Sequence, residues 1–392
     1  MTSKPLQLGV IGLGRAFVLM LPTFRLDERV QLVAAYDPRP SARDQFQRDF
    51  GGRVYESARD LCSSPDIEAV YIASPHLNHC EHAIEAARGA KHALVEKPMA
   101  ISIDDALRML KAFDTSGQHL IVGPCHSFDA PVLKAREIIA SGAIGRVRMI
   151  HALNCTDFLY RPRRPEELRT EDGGGVIFSQ GVHQIDIVRL LCGDRANQVS
   201  AMTGAWDPAR PTEGAYSAIL TFDSGAFASL TYSGYAHFDS DIWQGCIGEL
   251  GQRKDLKDYG RARKALANVK TPQAESDLKE TRTYGADGNE PKVARHHEHF
   301  GPVIVFGDCG DIRIAPEGVH LYNDSNVEFV ASPFEHPRAD VISGLWSAIR
   351  NQAPPPQTGA WGLASLEICH AIIESSRSQQ PIALKHQIGL TS

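Results

Sequence analysis

Two short stretches carry side chains suited to moving a proton. HALVEKPMA (92–100) is an apolar run that ends in Glu96, Lys97 and Pro98. If that run is a buried parallel strand, its carboxyl end faces a ligand crevice. A lysine placed there loses part of its hydration, which lowers its pKa and equips it for proton transfer. Pro98 biases Lys97 toward extended backbone. The second stretch, EDGGGVIFSQGVHQIDIVRLL (171–191), sets three glycines ahead of a helix-like run that carries His183 and Asp186 three residues apart, on one face. Imidazole titrates closest to neutrality, as acid–base work on an alcohol requires. Each has a plain alternative: a strand-end surface lysine and a structural helix histidine.

A third stretch, YRPRRPEELRT (160–170), packs Arg161, Arg163, Arg164 and Arg169 into a chain of net charge -6. A guanidinium fork holds a carboxylate bidentately and stays charged when buried, so this reads as one wall of a site for an anionic substrate. The alternative is that Glu166, Glu167, Glu171 and Asp172 absorb all four arginines as solvated pairs, each worth under ~1 kcal/mol.

The cofactor signal is GVIGLGRAF (9–17). Gly12 and Gly14 make a tight turn and let the backbone approach a pyrophosphate at a helix N-terminus, with Arg15 and Ala16 in the first turn. Phe17 stands where the third glycine of the fingerprint belongs, which questions the close helix–strand packing but not the phosphate cradle. Asp37, at the end of the next apolar run, can accept from ribose hydroxyls and repels a 2′-phosphate, which favours NAD over NADP. Arg39, two residues on, could reach a phosphate instead.

The elements that must position these groups alternate in the first 125 residues. Apolar runs at 6–12, 30–37, 69–74, 92–96 and 119–123 suit strands covered on both faces, and helix-like segments lie at 40–49, 76–89 and 103–116. This predicts a Rossmann-type doubly wound parallel sheet over 1–125. The remainder, 126–392, reads as a second α/β domain. It holds a helix at 132–142, alternating strands at 146–155, 215–222 and 226–238, and a hairpin turn at FDSG (222–225). An open, largely antiparallel sheet is expected there. Residues 251–298 form a polar excursion, and two helices, 337–351 and 360–378, close the chain.

At 392 residues the length suits two domains. A pI near 6.2 argues against a nucleic-acid binder, and no apolar run reaches the ~20 residues of a membrane span. Eight scattered cysteines without a C-x-x-C pair, and no leader-like apolar start, point to free thiols in the cytoplasm.

GVIGLG, YIASPHLNH, VEKPMA and GGGVIFSQGVHQID, in this order, resemble the glucose–fructose oxidoreductase/inositol dehydrogenase (Gfo/Idh/MocA) family over nearly the whole chain. The resemblance implies NAD, a homo-oligomer built on the second sheet, and hydride transfer from a hydroxyl carbon with Lys97 and His183 near the reacting oxygen. It also implies Ser74, Pro75, His79 and Glu96 beside the cofactor, and His126 and Gln180 beside the substrate. Two positions depart from the pattern: Ser179 stands where an aspartate is common, and His126 of GPCHSFD where an asparagine is frequent.

A narrower likeness, over residues 153–191 and WDPARPTEGAYSA (206–218), is to the branch that oxidises the cis-dihydrodiol of phthalate, a dicarboxylate, to a catechol. A sugar, inositol or sugar-acid dehydrogenase, a hydrolase using NAD transiently, and a non-catalytic NAD-sensing regulator are the competing readings. Two histidine-rich segments, HLNHCEH (76–82) and RHHEHFGP (295–302), are read without a metal, the second as surface or as a loop returning over the active site.

Overall fold

The computed structural model describes residues 4–255, 257, 259–286 and 294–390. The chain divides into two compact units, the first comprising residues 1–124, 277–293 and 336–363, the second 125–276, 294–335 and 364–392. This differs from one cut near residue 125. Two later segments rejoin the first unit, because their apolar side chains complete its core.

The first unit is a six-stranded parallel sheet in the order β3-β2-β1-β4-β5-β6. Its strands are β1 (Leu6–Ile11), β2 (Val30–Tyr36), β3 (Arg53–Tyr55), β4 (Ala69–Ile72), β5 (His92–Val95) and β6 (Leu120–Val122). The five apolar runs are β1, β2, β4, β5 and β6; β3, as short as β6 but more polar, does not announce itself. Continuous apolar sequence is needed because helices cover both faces. These include α1 (Arg15–Leu26), α2 (Pro40–Phe50), α4 (His79–Arg88) and α5 (Ile103–Ser116), with the five-residue α3 at Ala58–Cys62. Ser102 starts α5 by accepting from the Asp105 amide, and Gly117, at φ 68°, ends it. Phe17 is fully buried and lies edge-on to Tyr284 at 5.0 Å and stacked on Phe24. An aromatic cluster thus replaces the close approach that a third glycine would allow. Tyr284 comes from the expected surface excursion, so the end of that excursion is core, not surface.

The second unit carries a nine-stranded open sheet in the order β14-β13-β12-β11-β7-β10-β9-β8-β15. Every neighbouring pair is antiparallel except β7 (Val147–Cys155) with β10 (Phe227–Ser233). The hairpin at 222–225 joins β9 (Ala215–Phe222) to β10, with Phe227 opposite Thr221. The strands β8 (Ala196–Gly204), β11 (Val303–Gly307), β12 (Asp311–Ala315), β13 (Gly318–Tyr322), β14 (Val327–Ala331) and β15 (Ile382–Ala383) were not legible. Helix α6 (Ala130–Ala140) begins and ends two residues before the expected 132–142, and α7 (Val182–Cys192) is buried on all sides over residues 182–191. The polar excursion holds two short helices, α8 (Arg261–Leu266) and α9 (Pro272–Glu280). The closing helices are α10 (Ala339–Asn351) and α11 (Gly359–Ser378). No helix among the described residues is long and apolar enough to cross a membrane.

Candidate active site

In the first unit the chemistry is presented by backbone. Gly12 has φ 94°, and a Cβ there would lie 2.7 Å from the Ala73 carbonyl oxygen, so only glycine fits between β1 and the end of β4. Gly14 is the N-cap of α1 and puts no side chain on the helix amides, and a Cβ at Gly14 would meet nothing within 4 Å. The first turn of α1, with Arg15 and Ala16, therefore opens onto free space with its positive dipole end, a cradle that fits a pyrophosphate.

Asp37 is buried, and Arg39 holds both of its oxygens, Oδ1 at 2.9 Å and Oδ2 at 3.1 Å, while Oδ2 also accepts from the Leu13 amide at 2.7 Å. Asp37 thus ties the glycine turn to the end of β2. Arg39 is itself held, donating to the Leu13 carbonyl at 2.9 Å and to Thr283 Oγ1 at 2.6 Å.

Ser74 and Pro75 follow β4. His79, fully buried at the start of α4, stands between the Ser74 and Pro98 carbonyl oxygens, 2.9 Å from each. Burial pushes its pKa down to about 4, so the imidazole is neutral and donates to one carbonyl at a time. Through it, the loop after β4 is tied to the Lys97–Pro98 turn, whose peptide bond is cis. Glu96 faces the interior and accepts from Tyr71 at 2.6 Å; burial raises its pKa, opposed by Arg338. Lys97 follows β5, half-buried.

In the second unit the chemistry is made by side chains. One turn of π-helix (Ile177–Gly181) precedes α7, a distortion frequent at functional sites. Gly175 needs its glycine, since a Cβ would strike the Glu213 carboxylate at 2.1 Å. Glu213 in turn accepts from the Ile177 amide at 3.2 Å and anchors the turn that delivers His183. Ser179, at the departing position, donates to the Gly175 carbonyl.

His183 packs against His126, ring centroids 4.6 Å apart, and both rings rest on Phe300, at 4.9 and 5.2 Å. Phe300 also stacks on Tyr232 at 5.9 Å, whose hydroxyl reaches Gln180 Oε1 at 3.4 Å. Phe300 belongs to RHHEHFGP, so that loop does return to the histidines. His126 Nδ1 lies 2.7 Å from Asp129 Oδ2. Asp186, three residues past His183, accepts from Ser127 and, at 3.4 Å, from Ser365.

The four arginines separate. Arg161 donates to Glu249 at 3.0 Å, in a pair that also influences Tyr232. Burial drives the Glu249 pKa up, but Arg161 and Lys254 outweigh it and hold the carboxyl at about 2. Arg163 lies over the Phe158 ring at 3.6 Å and near Glu167 at 3.7 Å, and it too influences Tyr232. Arg169 pairs with Asp172 on the surface, with 53% of its side chain exposed. Arg164 donates its backbone amide to Glu167 at 2.8 Å. The expected acids therefore take Arg169 and touch Arg163, and Arg161 is held by an acid 88 residues away, with Asp157 at 3.8 Å.

Sequence reasoning missed Glu249, Glu213, Tyr232 and Phe300, whose partners are remote in sequence. It also missed Asp129, for which the three-residue spacing from His126 was a usable signal. Among the described residues, His126, Asp129 and Glu298 are close enough to share an ion, their ligand atoms within 4.8 Å of one another. The two segments considered for metal show their rings engaged elsewhere: His82 Nδ1 is 2.9 Å from Ser74 Oγ, and His299 lies 2.8 Å from the Ile247 carbonyl.

Comparison with known proteins agrees with a two-part dehydrogenase. The family described as oxidoreductase, NAD-binding Rossmann fold, matches residues 6–124, and the GFO/IDH/MocA C-terminal domain matches residues 132–252. The 1-carboxy-3-chloro-3,4-dihydroxycyclohexa-1,5-diene dehydrogenase of Comamonas testosteroni is 44% identical over 381 residues, 95% of this chain and 96% of that protein. A solved structure from Bordetella bronchiseptica RB50 superposes with a TM-score of 0.91 at 39% identity, covering 97% of this chain and 100% of the other. An Agrobacterium radiobacter oxidoreductase solved with NAD+, L-tartaric acid and magnesium shares the fold, with a TM-score of 0.71 at 18% identity and coverage of 96% and 98%. Fold and cradle together define an oxidoreductase that uses NAD and acts on a CH–OH carbon. The chain belongs to the Gfo/Idh/MocA family.

Proposed function

We propose that this enzyme oxidises a cyclic cis-diol carboxylate with NAD, the substrate being the cis-4,5-dihydrodiol of phthalate and the product 4,5-dihydroxyphthalate, as a cytoplasmic homo-oligomer. The observation that carries the reading is Arg161. Its guanidinium spends one N–H on Glu249, has Asp157 only at 3.8 Å from Nε, and leaves 31% of the side chain exposed, in the charge cluster around Tyr232. A substrate carboxylate can take the remaining edge of the fork. The name of the Comamonas relative adds support, since its substrate is a carboxylated dihydroxycyclohexadiene.

When bound, NAD supplies the hydride acceptor. The residues of this chain do the rest. Gly12, Gly14 and the amides of α1 cradle the pyrophosphate, and Asp37 meets the ribose. Lys97 and His183 together relay the single hydroxyl proton away from the reacting oxygen, Gln180 and Tyr232 orient the diol, and Arg161 and Arg163 hold the carboxylates. A sugar or inositol dehydrogenase is the second reading, since a myo-inositol 2-dehydrogenase of Thermotoga maritima is 26% identical over 50% of this chain.

The test is NADH formation across cyclic diols with none, one or two carboxylates, each run with NAD and with NADP. The dicarboxylate is expected to give the highest kcat/KM, and NAD to be favoured at least ~10-fold, about 1.4 kcal/mol. Higher kcat/KM with inositols would replace this reading by the second. Equal use of NADP would remove Asp37 from cofactor choice.

A further inference from the structure

We infer that His126 is a second catalytic base, oriented by Asp129, that removes the carbon-bound proton in the aromatising step following hydride transfer. This rests on the dihydrodiol reading above, and it names a function that simple oxidation of a hydroxyl to a ketone does not need.

The chemistry asks for two bases. Taking hydride from one carbinol, with its O–H proton, leaves a ketone next to an intact carbinol. To become a catechol, the ring must then break the C–H bond of that second carbinol. The electron pair left behind forms the last ring double bond, and the carbonyl oxygen gains a proton to become the second phenol. An imidazole that has just accepted the O–H proton cannot accept another; it can only give that one back. Lys97 and His183 both serve the oxygen that is oxidised and then reprotonated, so a different group has to accept the carbon-bound proton of the neighbouring carbinol.

The second unit has such a group. His126 and Asp129 are both nearly buried, with 9% and 10% of their side chains exposed. An ionised carboxylate only accepts, so at 2.7 Å the proton between them sits on His126 Nδ1. In the neutral imidazole that places the proton on Nδ1 and leaves Nε2 unprotonated, the arrangement that makes a histidine a directed base. Asp129 occupies the N-cap of α6 yet makes no side-chain bond to the helix amides. Its carboxylate is turned to the imidazole instead of the task an N-cap aspartate ordinarily performs. Glu298 adds a second carboxylate to the group, and negative charge there favours the imidazolium once it forms.

The position suits the division of labour. The two rings are 4.6 Å apart on the same Phe300 face, and the two carbinol carbons they would serve are about 1.5 Å apart. An asparagine at position 126 could bind a hydroxyl but could not accept a proton from carbon.

The experiment follows single turnovers of the NAD-loaded enzyme with the phthalate dihydrodiol. It records NADH and catechol separately, with and without hydroxylamine to trap the ketone, and repeats them with substrate deuterated at both carbinol carbons. In wild type the catechol is expected to appear in step with NADH and little ketone to be trapped. In His126→Asn, catechol formation is expected to fall at least ~10-fold further than NADH formation, with trapped ketone making up the difference. Asp129→Asn should move the same ratio in the same direction by less and shift its pH dependence, because a positioning residue sets the tautomer without taking the proton. Rates that fall together in His126→Asn, with no ketone trapped, overturn the assignment. So does a stoichiometric divalent cation in the purified enzyme that is lost in Glu298→Gln, since the three groups would then be ligands. A wild type that forms no NADH from any cyclic diol carboxylate removes the proposed function itself, and this step with it.

Discussion

The two units solve the same problem, holding a polar molecule in a fixed place, with different materials. In the first, the ligand-facing groups are glycines and helix amides. The side chains around them are tied to backbone, Asp37 to the Leu13 amide as well as to the Arg39 fork, and His79 between the Ser74 and Pro98 carbonyls. In the second, the site is a set of side chains bonded to one another: Arg161 to Glu249, His126 to Asp129, Tyr232 to Gln180. Backbone presentation suits a pyrophosphate, which offers only oxygens and charge. Side-chain presentation suits a substrate whose carboxylates and hydroxyls must be told from those of related molecules.

The sharpest break of this contrast is to remove the two proton carriers. Lys97→Ala and His183→Ala are each expected to lower kcat roughly 10²–10⁴-fold, the usual worth of a positioned acid–base group. NAD binding should survive in both, since the cradle is made by residues 12–16 and Asp37. A variant that keeps more than about a third of wild-type kcat, with chemistry rate-limiting, has lost its assigned role. Weaker NAD binding in His183→Ala would show that the two presentations are not separable.

A smaller effect separates the arginines. Arg161→Ala is expected to raise KM for the dicarboxylated diol ~10-fold or more, the size of a lost charge-assisted bond, and to matter far less for a diol without carboxylates. Arg169→Ala, whose partner is the surface Asp172, should leave both unchanged. Because Arg161→Ala strands a buried Glu249, the pair Arg161→Ala with Glu249→Gln separates substrate loss from misfolding. Unchanged kcat/KM for the dicarboxylate in that soluble double variant would take Arg161 out of substrate binding, and with it the main support for the phthalate reading.

The same difference in materials decides what the sequence could reveal. A covered parallel strand must be apolar throughout, so β1, β2, β4, β5 and β6 were readable with ends within one or two residues. Glycines in a phosphate cradle are fixed by local geometry, so Gly12 and Gly14 stood out. Three of the nine strands of the second sheet were legible: β7, β9 and β10 alternate, whereas β11 to β14 are five-residue strands whose pairing depends on neighbours rather than on their own pattern. The site there was legible as residue types but not as pairings. Arg161 and its acid are separated by 88 residues, and nothing local distinguishes it from Arg169. The excursion misled because Thr283 and Tyr284, which close on Arg39 and Phe17, are two residues in a polar stretch.

The smallest expected effect is on stability against pH, and it tests whether the two kinds of bonding respond to acid in different windows. His79 has its folded-state pKa lowered, first by burial, to about 4 from an ordinary 6.5. A histidine held neutral in the fold takes up its proton more readily when unfolded. Its contribution is therefore complete above about pH 6.5 and is lost as pH falls toward 4, by roughly 3 kcal/mol at most at 1.36 kcal/mol per pKa unit. Glu249 responds in the same direction but in a lower window. Its folded-state pKa is depressed to about 2, so what it contributes is present above the ordinary carboxylate range near 4.3 and goes only as pH falls through that range toward 2. Acid between pH 6.5 and 4.5 should therefore loosen the nucleotide-binding unit while the Arg161–Glu249 pair stays ionised. Urea midpoints of the intact chain, measured across this range, should fall more steeply for wild type than for His79→Gln. That variant starts lower, by about 1 kcal/mol for an imperfectly replaced hydrogen bond, but gives up no imidazole proton linkage. Glu249→Gln should shift the whole curve down over the same range without changing its slope. Parallel curves for wild type and His79→Gln would mean that the seam between Ser74 and Pro98 does not depend on a neutral imidazole.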